Sequence, residues 1–388
     1  MVVGDPGHVI FDLILGFVFL LAQVRLAALV LGRAYRRPAA MLVMAALGTL
    51  LALGYACSFS EVIGRFWLPP AIGATFGAVT VIYLLISTAA LVIYTLLHPI
   101  RKRINAATDP GRRRVLSAAG GALMASPLAV VAYGALVERT NFRVRETDIP
   151  LAGLAPDLDG LRILQLSDIH LGLFLSERDL ARVIDAAQEL RPHIAFATGD
   201  FISNMGDPLE TCIRQLARIK ADAGMMGCLG NHERYARVEP LTVELAARAG
   251  IRILRGEAEQ LRIGNALVNV AGVDYQRFTN KGDYLREAAS LVYPGALNVL
   301  LSHNPDVFPV AARQGYHLTL AGHTHGGQVT VEILDQTINP ARFFTPYVRG
   351  LYRLDQAAEY VTRGIGTIGI PTRIGAPPEI TLIRLRKA

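Results

Sequence analysis

Two patterns of apolar positions divide this chain. Up to residue 136 they come in long runs, at 9–32, 40–56, 71–97 and 115–136. A helix of about 20 apolar residues matches the thickness of a bilayer. The third run has no charge, Asp12 and Arg25 interrupt the first, and the second is shorter. Length and clustering predict four transmembrane helices rather than buried helices of a soluble core. From Leu161 the runs become short. LRILQLSDIH (161–170), HIAFATGD (193–200), GMMGCLGNHE (224–233), LNVLLSHNPD (297–306) and HLTLAGHTHGG (317–327) each read as a buried strand that ends in polar residues or glycine. Amphipathic helical patterns at 176–190, 208–221, 238–249 and 306–314 lie among them. This alternation predicts sheets covered by helices, and ligands in such folds collect at the carboxyl ends of strands. After Gly327 the pattern is more purely β, with runs at 329–334, 358–364 and 379–385 that suggest a second sheet. The organisation expected is a transmembrane region of about four helices over 1–138, a polar linker over 139–160, and an α/β domain over 161–388.

Charge refines the first part. The chain has 388 residues, is 52% hydrophobic, and carries a net charge of +7. Residues 1–114 hold 11 basic and 4 acidic residues, and the remainder holds 28 of each. The basic excess therefore flanks the apolar runs, which argues for membrane topology and against nucleic-acid binding. Arg33, Arg36 and Arg37 follow run one; Arg101, Lys102, Arg103 and Arg112–Arg114 precede run four. The positive-inside rule makes both loops cytoplasmic and puts the α/β domain on the outer face of the cell membrane. Trp67 and Phe66 fit an interfacial position. The stretch Gly111–Leu116 reads either as a twin-arginine export signal or as a topology-setting charge cluster. Cys57, Cys212 and Cys228 lack metal-type spacing, and a Cys212–Cys228 bridge stays open.

The strand ends supply the candidate chemistry: Asp168 and His170, Asp200, Asn231 and His232, His303, then His323 and His325. Oxygen and imidazole donors in this mixture suit Mn, Fe or Zn. No thiolate joins them, which disfavours a structural zinc site. One carboxylate can bridge two cations, and Asp200 is the natural bridge. Two divalent ions, two aspartates and a bridging hydroxide leave the pocket net positive, suited to an anionic phosphate ester. Two such ions activate water and clamp the entering and leaving oxygens. His232 is the candidate proton donor to the leaving group. Glu233 reads as an orienter of the ligands, Asn304 as a turn residue, and His193 and His317 as structural. Arg342, Tyr347 and Arg349 are weighed as facing the site against lying in a solvated loop.

The ordered set Asp168-x-His170, Gly199-Asp200, Gly230-Asn231-His232-Glu233, His303 and Gly322-His323-x-His325 resembles the calcineurin-like metallophosphoesterase superfamily. The ends Gly364–Thr367 and Pro377–Ile380 look like its membrane-anchored or exported bacterial branch. The resemblance covers 161–386. It implies a four-layer α/β/β/α sandwich with two metals at its rim. Asp168, His170 and His325 would hold one ion, Asn231, His303 and His323 the other, with Asp200 between them and His232 catalytic. Serine/threonine phosphatases of the superfamily continue the second motif with aspartate–arginine–glycine. Here Asp200 is followed by Phe201-Ile202-Ser203, which favours diesters or pyrophosphates over phosphomonoesters. The expected function is a membrane-anchored phosphoester hydrolase, working through a metal-bridging hydroxide on envelope or lipid-linked nucleotide substrates. The alternative is a catalytically silent metal-binding sensor or scaffold.

Overall fold

The computed structural model describes residues 6–31, 34, 36–59, 70–97, 99, 109–333 and 336–388. Trp67, Phe66, Arg33, Arg101, Lys102 and Arg103 lie outside them. The chain forms two compact units, residues 1–136 with 369–372, and residues 137–368 with 373–388.

In the first unit the apolar runs are helices α1 (Pro6–Leu31), α2 (Pro38–Phe59), α3 (Pro70–Leu96) and α4 (Pro110–Leu136). Each opens at a proline, whose missing N–H costs nothing in a first turn. All four are long and apolar enough to cross a membrane. Phe19, Leu51, Ile82, Tyr83, Leu84 and Val131 form the core between them. Ile14, Phe17, Leu42, Ile93 and Leu96 are among many large apolar side chains left exposed, as expected where lipid replaces water. Gln23 donates to Ser87 Oγ at 2.7 Å and accepts from Tyr83 at 3.0 Å. Such bonds hold helices together where burial of apolar surface gives no preference for a partner.

The second unit opens with a strand where the sequence reads as linker: β1 (Arg143–Leu151). Next come β2 (Arg162–Leu166), α5 (Glu177–Glu189), β3 (Ile194–Thr198), α6 (Leu209–Leu216), β4 (Met225–Cys228), the short α7 (Asn231–Tyr235), α8 (Glu239–Arg248) and β5 (Ile251–Ile253). A hairpin follows, β6 (Glu257–Ile263) and β7 (Ala266–Gly272), which the apolar pattern does not single out. Then come β8 (Leu297–Leu301), α9 (Phe308–Gln314), β9 (Leu318–Ala321), the β10 (Val331–Ile333) and β11 (Gln336–Ile338) ribbon, β12 (Gly350–Leu354), β13 (Ala357–Val361) and β14 (Glu379–Lys387).

One six-stranded sheet runs β1-β14-β2-β3-β4-β5 and the other β12-β13-β9-β8-β7-β6. Two departures from the expectation stand out. β1 is no linker: it pairs in parallel with β14 along its whole length. β14 belongs to the first sheet, antiparallel to β2, rather than to the second. Between the sheets lies a core that includes Ile163, Phe196 and Met226 from one side and Val268, Val299, Leu320 and Tyr360 from the other. Outside the first sheet, α5, α6 and α8 cover Leu164, Leu166 and Ala195. α5 shows why: Leu180, Val183, Ile184 and Ala187 line one face, the spacing of a half-buried helix, and Ser176 caps it by accepting from Asp179 N. Outside the second sheet, α9 and neighbouring turns cover Ala271 and Leu300. The result is an α/β/β/α sandwich. Cys212 and Cys228 are both buried and free, and they belong to different cores.

Gln165, fully buried in β2, ties the layers together directly beneath the strand ends. Its amide donates to Thr198 Oγ1 at 3.1 Å in the same sheet and to the Ala321 carbonyl at 3.0 Å in the other.

Candidate metal centre

β2, β3 and β4 run parallel, as do β8 and β9, so their carboxyl ends bring eight polar side chains to one rim. Ligand atoms of Asp168, His170 and His325 lie within 4.8 Å of one another; so do those of Asp200, His303 and His323, and those of His170, Asp200 and His232. The pairs between groups are close too. Asp200 Oδ2 is 3.0 Å from His303 Nε2 and 3.5 Å from His170 Nε2. Asp168 Oδ1 is 3.3 Å from His325 Nε2. The two histidines of His323-Thr324-His325 therefore diverge: His323 Nδ1 sits 3.1 Å from His303 Nε2, and His325 Nε2 sits 3.2 Å from His170 Nε2.

The backbone is strained to achieve this. Asp168, His170, Asp200, His323 and His325 all have φ between 49° and 72°, the left-handed region that non-glycine residues avoid at about 1 kcal/mol or more each. The sharp bends turn the side chains from the sheet toward one point. Close approach also demands glycines. A Cβ on Gly322 would fall 2.1 Å from Ser167 Oγ, and one on Gly364 would fall 2.5 Å from Asp168 Cβ.

Neighbouring groups hold the rings. His303 Nδ1 meets the Thr198 carbonyl at 2.7 Å, and His232 Nδ1 meets that of Ser203 at 2.7 Å. His170 Nδ1 lies 3.1 Å from Ser203 Oγ. An imidazole that donates from Nδ1 keeps its Nε2 lone pair for a cation. Glu233, fully buried, accepts from Asp200 N, Phe201 N and Gly230 N at 2.8–2.9 Å. That is the orienting role read for it in the sequence.

Electrostatics point the same way. Burial pulls His170 and His323 down to about 3 and holds His325 well below its usual range, so these rings are neutral and free to ligate. Burial pushes Asp168 up to about 6, against the pull of His303. For Asp200 burial acts upward too, but His303, His170 and His232 outweigh it and hold the carboxylate far below its usual range. Burial disfavours a charged His303, yet Asp200 and Asp168 keep it protonated up to about 10. A buried proton between two carboxylates occupies the place a cation would fill. The donor set fits divalent metal in a further respect. Asn231 Oδ1 is buried with no hydrogen-bond partner, a costly state for a carbonyl oxygen unless a cation takes it.

The remaining sequence readings divide. Asn304 is a turn residue, accepting from Asp306 N at 2.9 Å. His193 and His317 accept from Arg162 N and Asn298 N and are structural. Arg342 is exposed, Tyr347 packs on Phe308 and Tyr352, and Arg349 reaches the Gly375 carbonyl. None of the three joins the cluster; the same loop instead brings Ala341, Phe344 and Thr345 beside His323. Two contributors escape a reading of the sequence. One is Ser203, which touches two imidazoles. The other is Arg373, whose guanidinium is fully buried and donates to the carbonyls of Arg363, Gly364, Gly366, Ala376 and His325. Its Nη2 also lies 3.4 Å from His325 Nδ1.

Comparison with known proteins identifies the family. The family model for calcineurin-like phosphoesterases matches residues 161–327. An uncharacterized metallophosphoesterase of Aquifex aeolicus is 31% identical over 58% of this chain and 85% of its own length. A transmembrane protein with metallophosphoesterase domain from Danio rerio is 33% identical over 66% of this chain and 60% of its own length. The phosphodiesterase YaeI of Escherichia coli is 28% identical over 58% of this chain and 82% of its own length. The chain belongs to the calcineurin-like phosphoesterase family, whose members are metal-dependent, and joins that domain to four helices of membrane-spanning character.

Proposed function

We propose that this protein is a membrane-anchored, binuclear metal-dependent phosphoester hydrolase that acts on phosphodiesters or pyrophosphates of envelope or lipid-linked nucleotide substrates. The observation that carries the reading is the unpartnered, buried Asn231 Oδ1 beside a rim of five histidines and two aspartates. Asp168, His170 and His325 would hold one cation, Asn231, His303 and His323 the second, and Asp200 would serve both. Manganese, iron and zinc all suit these donors. When bound, such ions supply Lewis acidity and an acidified water.

The residues do the rest. Water supplies the entering oxygen and loses a proton to solvent. The bond from phosphorus to the leaving oxygen breaks, and His232 Nε2 gives that oxygen its proton. The Ser203 carbonyl at Nδ1, 2.7 Å away, steadies the imidazolium. A preference for phosphodiesters follows from the run Phe201-Ile202-Ser203 after Asp200, which lacks the arginine that grips monoesters in related phosphatases. YaeI, a relative, is itself named a phosphodiesterase. Basic residues beside runs one and four support an outward-facing α/β domain.

The test is turnover of bis(p-nitrophenyl) phosphate by the full chain with Mn²⁺, together with metal content. Asp200→Ala is expected to lower turnover more than about 100-fold and to lose bound metal. Unchanged turnover in Asp200→Ala refutes the site, and stoichiometric metal without any hydrolysis supports a silent sensor. A reporter fused after residue 145 checks the orientation; a cytoplasmic signal reverses it.

A further inference from the structure

Two cavities flank the histidine rim, and one segment, residues 275–284, walls both. The first, about 210 Å³, is lined by Arg234, Tyr275, Gln276, Arg277, Asp283 and Tyr284. The second, about 360 Å³, has Phe278, Ala341 and Phe344 in its wall, with Lys281 and His323. Both reach the rim. The Tyr275 ring lies 5.5 Å from that of His323 and 6.1 Å from that of His303, and the Phe278 ring lies 5.1 Å from that of His323.

The two cavities differ in charge. In the first, Asp283 pairs with Arg286, while Arg234 and Arg277 enter no ion pair among the described residues. Two guanidinium groups thus remain for an anion. In the second, the lysine is already engaged: Lys281 Nζ lies 3.4 Å from the buried Asp306 Oδ2. What it offers a ligand is aromatic surface. Phe344 is 78% exposed and its neighbour Phe343 is 89% exposed, so an apolar ridge runs outward from the cavity. Paired exposed phenylalanines beside a catalytic rim mark a contact for an apolar ligand.

We propose that the site takes an amphipathic phosphoester. Its reacting phosphorus lies at the rim, a further phosphate of its head group is received by Arg234 and Arg277, and an alkyl chain lies along Phe278 and Phe344. Arginine matches phosphate with paired N–H donors, and the chain gains by leaving water. Lipids are at hand for a protein with four membrane-spanning helices, and an alkyl-bearing substrate is the occupant that satisfies both cavities at once. The inference rests on the hydrolase reading above, and the experiment separates the two.

The full chain in a fixed detergent, loaded with Mn²⁺, is assayed on p-nitrophenyl alkyl phosphates from methyl to octyl, each below its micelle concentration. kcat/KM is expected to rise about tenfold or more across the series, mainly through KM, since each buried methylene favours binding severalfold. Phe344→Ser, at an exposed position, is expected to flatten that rise. A flat series in the unaltered protein, or an unchanged slope in Phe344→Ser, overturns the apolar half. Arg277→Gln is expected to raise KM about fivefold more for an octyl nucleoside diphosphate than for the octyl aryl phosphate, because a charged hydrogen bond is lost only with the former. Equal changes overturn the cationic half. If no ester is hydrolysed, the hydrolase reading fails by itself, and calorimetric binding of the octyl against the methyl ester then decides the subsite.

Discussion

The two sides of the candidate metal rim are fixed by opposite charges. On the side of β3 and β4, the carboxylate of Glu233 gathers three backbone N–H groups, from Gly230, Asp200 and Phe201. On the side of β9 and the closing loop, the guanidinium of Arg373 gathers the carbonyls of Arg363, Gly364, Gly366, Ala376 and His325. One buried anion collects donors and one buried cation collects acceptors. Each replaces the regular hydrogen bonding that ends where the strands end. The difference teaches why the loops can be irregular and strained yet rigid: each is tied to a single ion that cannot move without unpairing several backbone groups. Both ions are unsettled by their surroundings. Burial pushes Glu233 up to about 7, and burial pulls Arg373 down to about 10.

The comparison breaks most visibly at Arg373. Arg373→Met leaves several buried carbonyls without donors, and stability in denaturant unfolding is expected to fall by about 3 kcal/mol or more. Gly364 packs on Asp168 and Gly366 on His170, so on the binuclear reading proposed above one of two metal equivalents should be lost with it. A variant as stable as the parent with both metals bound would remove Arg373 from the argument. Glu233→Gln is expected to act less severely, costing about 1–2 kcal/mol as one amide N–H group faces donors. Because it holds Asp200, which lies between the two ligand groups, metal affinity should drop about 10–100-fold for both ions together. Selective loss of one ion, by metal titration, would contradict this.

A third buried ionisable group sharpens the point by lacking any such role. Glu359 in β13 is buried, and both its oxygens lack hydrogen-bond partners. Burial, then the charge of Asp306, raise it well above the ordinary range. The folded state therefore holds this proton more tightly than the unfolded chain, and stability falls as pH rises above the unfolded value near 4.5. Glu359→Gln should remove that slope. Its thermal midpoint is expected to exceed that of the parent by more at pH 8 than at pH 5, and an equal difference at both would defeat the prediction.

Much of the site was legible because its signals are local. A short apolar run followed by Asp or His reads the same way wherever it occurs, and Asp168, Asp200, His303 and His325 each sit within three or four residues of a strand. What was not legible depends on distance. β1 lies at a sheet edge, is polar over Arg145–Asp148 and has its first four residues exposed, so it reads as linker until its partner is known. β14 looks like any late strand, and only its register against β1 and β2 assigns it to the first sheet. Arg373 has no signature at all. A buried arginine opposes the usual distribution, and its partners are carbonyl groups that every residue carries.

The position of β14 bears on how this protein is made. Residues 379–387 lie inside the first sheet, between β1 and β2, and Arg384 bonds Asp148 across 236 residues of sequence. Until the ribosome has added residues 379–387, β1 has no neighbour and β2 shows an open edge. The loop carrying Arg373 is not yet anchored at its far end either. The rim can reach its working geometry only when the chain is finished to this strand. Synthesis that stops before residue 379 should therefore yield a protein with two unpaired edges and no competent centre, readily recognised by cellular proteases.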